Sequence, residues 1–98
     1  MTAFSTVRFR VKVGQDQIFL DAHKAAVGHW PGLQRADIIK TGEQSYCIIA
    51  EWPDAATLAT ARPAMIATLD TFRHTLEDLG GSLGLTDPVS GPVVMKLR

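Results

Sequence analysis

His23 is the residue of this chain best placed to move a proton. Phe19, His23, Ala26 and Trp30 follow one another at spacings that put all four on one face of a helix. An imidazole there, with a reference pKa of about 6.5, suits acid–base work near neutral pH. The same position also suits a core-edge histidine bonded to a backbone carbonyl. His29, beside Trp30 and Pro31, reads instead as an exposed turn residue. Tyr46 and Trp52 share one face of an apolar strand, where they could stack on a planar ligand and offer it an O–H and an N–H, or simply pack in the core. Arg8, Arg10 and Lys12 form a basic row that either lies exposed at the sheet margin or, Arg10 in particular, reaches a pocket or interface and meets Glu51 or an acidic ligand group. Asp70, His74 and Asp78 align three potential metal ligands on a helix, but the third lies a further turn away and no second cluster completes a shell. That row is expected to be a solvated face holding no metal, with Arg73 and Glu77 spaced for a surface ion pair. No serine–histidine–acid set, phosphate-binding glycine loop or Cys/His metal spacing is present. Hydrolysis and phosphoryl transfer therefore find no support.

The elements that must position these residues follow from periodicity. Phe4 to Val13 alternates, with Val7, Phe9, Val11 and Val13 on one side and Arg8, Arg10 and Lys12 on the other, which predicts a strand ended by Gly14. Asp16 to Val27 predicts a helix. Leu33 to Lys40 reads as a second strand, joined through the turn Thr41–Gln44 to a third, Ser45 to Trp52. In that third strand Tyr46, Ile48, Ala50 and Trp52 line one face while Cys47 and Ile49 line the other, so both faces require cover. Asp54 is placed to cap a helix from Ala55, and Pro63 predicts a short helix followed by a longer one, Ala64 to Leu79, with Met65, Ile66, Leu69, Phe72, Leu76 and Leu79 on its apolar stripe. Gly84 to Pro92 reads as an irregular loop before a last short strand, Val93 to Leu97. The order strand, helix, strand, strand, helix, strand is that of an α+β, ferredoxin-like βαββαβ fold, a four-stranded antiparallel sheet with both helices on one face and the first and third strands central.

A chain of 98 residues fits a single domain, 1–98, in a size range where self-association is common. Ten basic and ten acidic residues cancel, which disfavours nucleic acid or an anionic membrane as the main partner. The lone cysteine, Cys47, forms no internal disulfide and reads as a small buried filler in a reducing compartment. Without a spanning segment or the regions of a secretion signal between Met1 and Thr6, the expected location is the cytoplasm.

In order and spacing, Val7-Arg8-Phe9-Arg10-Val11-Lys12-Val13-Gly14 before a helix opening with Phe19, then Gly28-His29-Trp30-Pro31-Gly32-Leu33, then Ala50-Glu51-Trp52, resemble the antibiotic biosynthesis monooxygenase-like (ABM) domains of the dimeric α+β barrel superfamily. The end of the chain, from Gly84 to Gly91, falls outside that pattern. The resemblance implies a homodimer whose open sheet faces pack together as a barrel, with a ligand pocket between sheet and helices in each protomer. Family members include cofactor-free oxygenases of polyketide-like quinols and haem-degrading enzymes. Trp52 corresponds to the tryptophan that ends the third strand and lines the pocket in such proteins. The haem-degrading members carry a histidine on the following helix, where this chain reads Thr60-Ala61-Arg62, and an asparagine near the start of the first strand, where it offers Ser5 and Thr6. The iron ligand is missing, and no cofactor is expected.

The expected function is thus binding of a planar aromatic or quinol-like compound, with cofactor-independent monooxygenation as the accompanying chemistry. In such a reaction the deprotonated substrate supplies the electrons to oxygen, and the protein provides a base, orientation and a dry cavity. His23 is the candidate base; Trp30, Tyr46, Trp52 and Arg10 are the candidate pocket residues. The alternative is a non-catalytic dimerisation or ligand-sensing module of the same fold. An interior cavity on the order of a few hundred Å³ with an inward polar group separates the two.

Overall fold

A computed structural model describes residues 1–98. The elements are β1 (Ala3–Val11), α1 (Asp16–Ala26), β2 (Arg35–Gly42), β3 (Ser45–Trp52), α2 (Ala55–Phe72), β4 (Leu76–Glu77) and β5 (Asp87–Pro92). The sheet is antiparallel and runs β2-β3-β1, with β1 and β3 central as expected. The remaining edge of β1 is shared: β4 pairs with Arg10 and Val11, and β5 pairs with Ala3 through Arg8. This is the α+β ferredoxin-like fold with its fourth strand split in two.

Alternation decides which side chains face the helices. On β1, Ala3, Ser5, Phe9 and Val11 are buried; on β3, Tyr46, Ile48, Ala50 and Trp52 are buried beside them, each large apolar side chain contributing roughly 1.5–3 kcal/mol. Val13 falls beyond the end of β1 and is exposed. Phe9 of β1, Phe19 of α1 and Phe72 of α2 meet edge to face, with ring centroids 5.2 to 5.6 Å apart. That favoured aromatic geometry ties the sheet to both helices at one point. The opposite face of the sheet has no helix over it. It carries Phe4, Ile39 and Val89 exposed, Cys47 buried, and Ile49 half-buried.

Asp54 caps α2 as its sequence position predicts, its carboxylate accepting the Thr57 N–H at 2.7 Å. Asp54→Ala should cost about 1 kcal/mol, read as a lower urea midpoint at unchanged slope. Three expectations further along the chain are corrected. First, Pro63 does not divide the helix: α2 runs unbroken from Ala55 to Phe72 with Pro63 inside it. The missing N–H withdraws one donor from the Ala59 carbonyl, but both residues lie on the exposed face, where solvent can satisfy an acceptor, while Leu58, Ala61 and Phe72 anchor the helix to the core on either side.

Second, the helix ends at Phe72 rather than Leu79. One tight turn, Arg73–Thr75, follows, and Leu76 is already extended. The buried Thr75 hydroxyl donates to the Phe72 carbonyl at 2.6 Å, and the Lys12 N–H donates to the Thr75 carbonyl at 2.8 Å, so the chain is drawn onto the edge of β1. Asp70, His74 and Asp78 consequently share no helix face, and no group of three ligating side chains exists. Arg73 pairs with Asp70 at 2.7 Å and not with Glu77, which has moved into β4.

Third, the last strand is Asp87–Pro92, inside the segment read as a loop, while Val93 to Leu97 carry no regular structure. Two prolines in six residues argue against a strand until the register is considered. Val93 donates its N–H to Thr2 at 2.7 Å, so the odd-numbered residues of this strand point their donors at β1. Pro88 and Pro92 therefore stand where an N–H would face solvent, the one place an edge strand tolerates proline.

Candidate functional site

A cavity of about 270 Å³ lies between α2 and the helix-facing side of the sheet. Its roof is one stripe of α2, from Arg62 through Met65, Ile66 and Leu69 to Phe72; its floor is Ser5, Val7 and Phe9 of β1 with Ile48 and Ala50 of β3. Thr86, just before β5, and Pro88, within it, close one side, and His23, Trp30 and Thr68 complete the lining. Val7, Met65 and Leu69 point inward yet stay only half-buried, because they border space instead of packed atoms.

His23 is buried among Phe9, Phe19 and Phe72, its ring centroid 4.4 Å from that of Phe72. Its Nδ1 lies 2.9 Å from the Phe19 carbonyl oxygen, one helical turn back. A carbonyl only accepts, so Nδ1 carries the proton and Nε2 keeps the lone pair. Burial pushes the His23 pKa below its ordinary 6.5, and the Phe19 hydrogen bond only partly opposes this. The residue thus stays neutral, and able to accept a proton, to lower pH than a solvated histidine.

With the folded pKa below the unfolded 6.5, the unfolded chain binds the proton first as pH falls, so stability is full above pH 6.5 and declines as pH drops through the folded value. Asp16 and Asp54, whose carboxyls are held below 3.8 by their hydrogen bonds, act only at lower pH. Between about pH 7.5 and pH 5, wild type should therefore lose stability relative to His23→Gln in urea titrations.

Of the candidate pocket residues, Trp30 lines the cavity, with its indole N–H donated to Thr68 Oγ1 at 2.9 Å. Tyr46, Trp52 and Arg10 lie outside its walls. Tyr46 packs on Phe19 and donates its O–H to Asp16 at 2.6 Å, which lowers the Asp16 pKa and raises its own. Trp52 is fully buried, stacks on Trp30 at a centroid distance of 6.5 Å, and donates its N–H to Ser5 Oγ at 3.0 Å, so it stands behind two lining residues and does not itself line the cavity. Arg10 reaches the Asp78 carbonyl on the far side of the sheet. Arg8 pairs with Asp87 of β5, not with Glu51. Sequence reasoning passed over Ser5, Arg62, Met65, Ile66, Leu69, Thr86 and Pro88 as lining. The α2 members had a usable signal, since Arg62 sits one turn before Met65 and Ile66 on the same face.

No protein-family model matches this sequence, and a search of curated proteins finds no match. Among solved structures, a Nitrosomonas europaea protein assigned as an antibiotic biosynthesis monooxygenase superposes with a TM-score of 0.73 at 14% identity, covering 95% of this chain and 90% of its own. SnoaB, a cofactor-independent oxygenase from Streptomyces nogalater, superposes at 0.68 with 17% identity over 98% and 96%. A conserved protein from Methanosarcina mazei gives 0.76 at 13% identity over 94% and 92%. Likeness at these identities speaks to architecture alone, and this chain shares the fold of proteins assigned as antibiotic biosynthesis monooxygenases.

Proposed function

We propose that this protein binds a planar aromatic or quinol-like compound in the cavity beneath α2 and oxygenates it without a cofactor. The observation that carries the reading is a neutral His23, its Nε2 lone pair free, among the walls of a mostly apolar cavity. In the reaction envisaged, a ring CH₂ made acidic by a neighbouring carbonyl and phenol gives a proton to Nε2, leaving its electron pair in the ring system. Dioxygen takes those electrons, a carbon–oxygen bond forms, and the resulting hydroperoxide loses water to leave a carbonyl. In total CH₂ and O₂ become C=O and H₂O, with the substrate oxidised and oxygen reduced. The protein supplies the base, the orientation and exclusion of bulk water. The SnoaB likeness supports this reading, since that protein is itself a cofactor-independent oxygenase.

Pairing of two copies through the uncovered sheet face belongs to the same reading. Phe4, Ile39 and Val89 are exposed on that face, Val89 by 65%, and a second protomer is the cover of matching shape and chemistry. Sedimentation at micromolar concentration should show a dimer. For the activity, incubation with an anthrone in air, without added metal or flavin, should yield the quinone and consume one O₂ per product. Binding without oxygen uptake would leave the ligand-sensing module in place of the enzyme.

A further inference from the structure

We infer that Arg62 reads an anionic group, a carboxylate, on the ligand at the end of the cavity remote from His23. The inference rests on the reading of the cavity as a ligand site and names the substrate class it admits: planar aromatic acids in preference to neutral rings.

Two rulers fix the geometry. Along the roof, Arg62 and Phe72 are ten residues apart on α2, about 15 Å at helical rise, and His23 packs on Phe72. Along the floor, Ser5 and Phe9 are four residues apart on β1, about 13 Å at strand rise. Phe9 also packs on His23, while Ser5 is paired in the sheet with Ser90, the residue that Arg62 contacts. Both rulers place the imidazole and the guanidinium at opposite ends of one elongated, apolar space.

Arg62 is the only charged arginine or lysine among the lining residues, and it has no acid of its own. The ion pairs of the chain join Arg8 to Asp87, Arg35 to Asp37 and Arg73 to Asp70. The hydrogen bond that Arg62 makes, 3.0 Å from Nη2 to Ser90 Oγ, is to a neutral hydroxyl that steadies the side chain and leaves its other donors unused. An arginine so held, exposed at the rim of a cavity whose remaining polar side chains are hydroxyls, one neutral imidazole and an indole N–H already given to Thr68, presents a planar fork to a ligand carboxylate. A carboxylate gripped there leaves the ring system lying toward His23.

The test compares anthracene carboxylate with anthracene carboxamide, two probes of the same shape differing in charge, by fluorescence titration of wild type, Arg62→Lys, Arg62→Gln and the cavity-filling variant Ala50→Phe. Wild type should bind the acid about tenfold or more tighter than the amide, with the preference shrinking as salt is raised. Arg62→Gln should erase the preference by weakening the acid alone, and Arg62→Lys should keep part of it. If both probes bind, Ala50→Phe blocks them, and wild type shows no preference or Arg62→Gln retains it, the role of Arg62 is overturned while the cavity stands. If binding survives Ala50→Phe, or neither probe binds wild type, the cavity reading falls and this inference falls with it.

Discussion

Truncation of Trp52 to alanine should cost about 3–5 kcal/mol of folding stability, a large part of what a small domain possesses. The side chain has no exposed surface, so its removal opens a void at the junction of β3, β1 and the Trp30 turn. It also withdraws the N–H that Ser5 accepts at 3.0 Å. Trp52→Phe separates these contributions in part, since it deletes the donor but opens a much smaller void; its cost should be nearer ~1–2 kcal/mol. Urea titrations of the three proteins measure both values. A Trp52→Ala variant within about 1 kcal/mol of wild type would show that the site collapses around the gap and that Trp52 does not hold the core.

His23→Gln should lower the oxygenation rate by roughly 10² to 10⁴-fold, the usual contribution of a positioned general base. Glutamine retains an N–H able to reach the Phe19 carbonyl and a comparable length, so the aromatic cluster should persist, and binding of a neutral aromatic probe should change little. The wild-type rate should fall on the acid side as His23 becomes protonated, with its midpoint below 6.5 because burial disfavours the imidazolium. The variant should lack that limb. A variant that turns over normally, or an unchanged acid limb, would assign the proton transfer to another group.

The parts of the fold that could be read in advance are those where one local signal governs. The apolar run from Tyr46 to Ala50, set between the Thr41–Gln44 turn and Asp54, gave β3 and its two apolar faces, and the spacing of Phe19, His23 and Trp30 put the three in the interior. Asp54 named its own helix start. Misreadings arose where a local rule yielded to tertiary structure. Leu76 falls four residues after Phe72, as a helix would require, but the open edge of β1 captured it as a strand. Pro88 and Pro92 argued for a loop, and only their pairing register, invisible without β1 beside them, made a strand tolerable. The cavity was hardest. Tyr46, Ile48, Ala50 and Trp52 share a face, yet Phe19 covers one end of the row and Trp30 the other, leaving only the middle pair beside open space. Which face a side chain takes is written locally; what stands above it depends on a helix elsewhere in the chain.

Because the flank of the cavity is the outermost strand of the sheet, the shape of the cavity and the hold on the fold are written in different places. The aromatic knot of Phe9, Phe19 and Phe72 sits at the His23 end, while Pro88 and Ser90 border the Arg62 end from a strand bonded to a single neighbour, with Thr86 just before it. Replacements along that border can reshape the doorway and leave the knot undisturbed. A lineage carrying this architecture could therefore change its diet without renegotiating its frame.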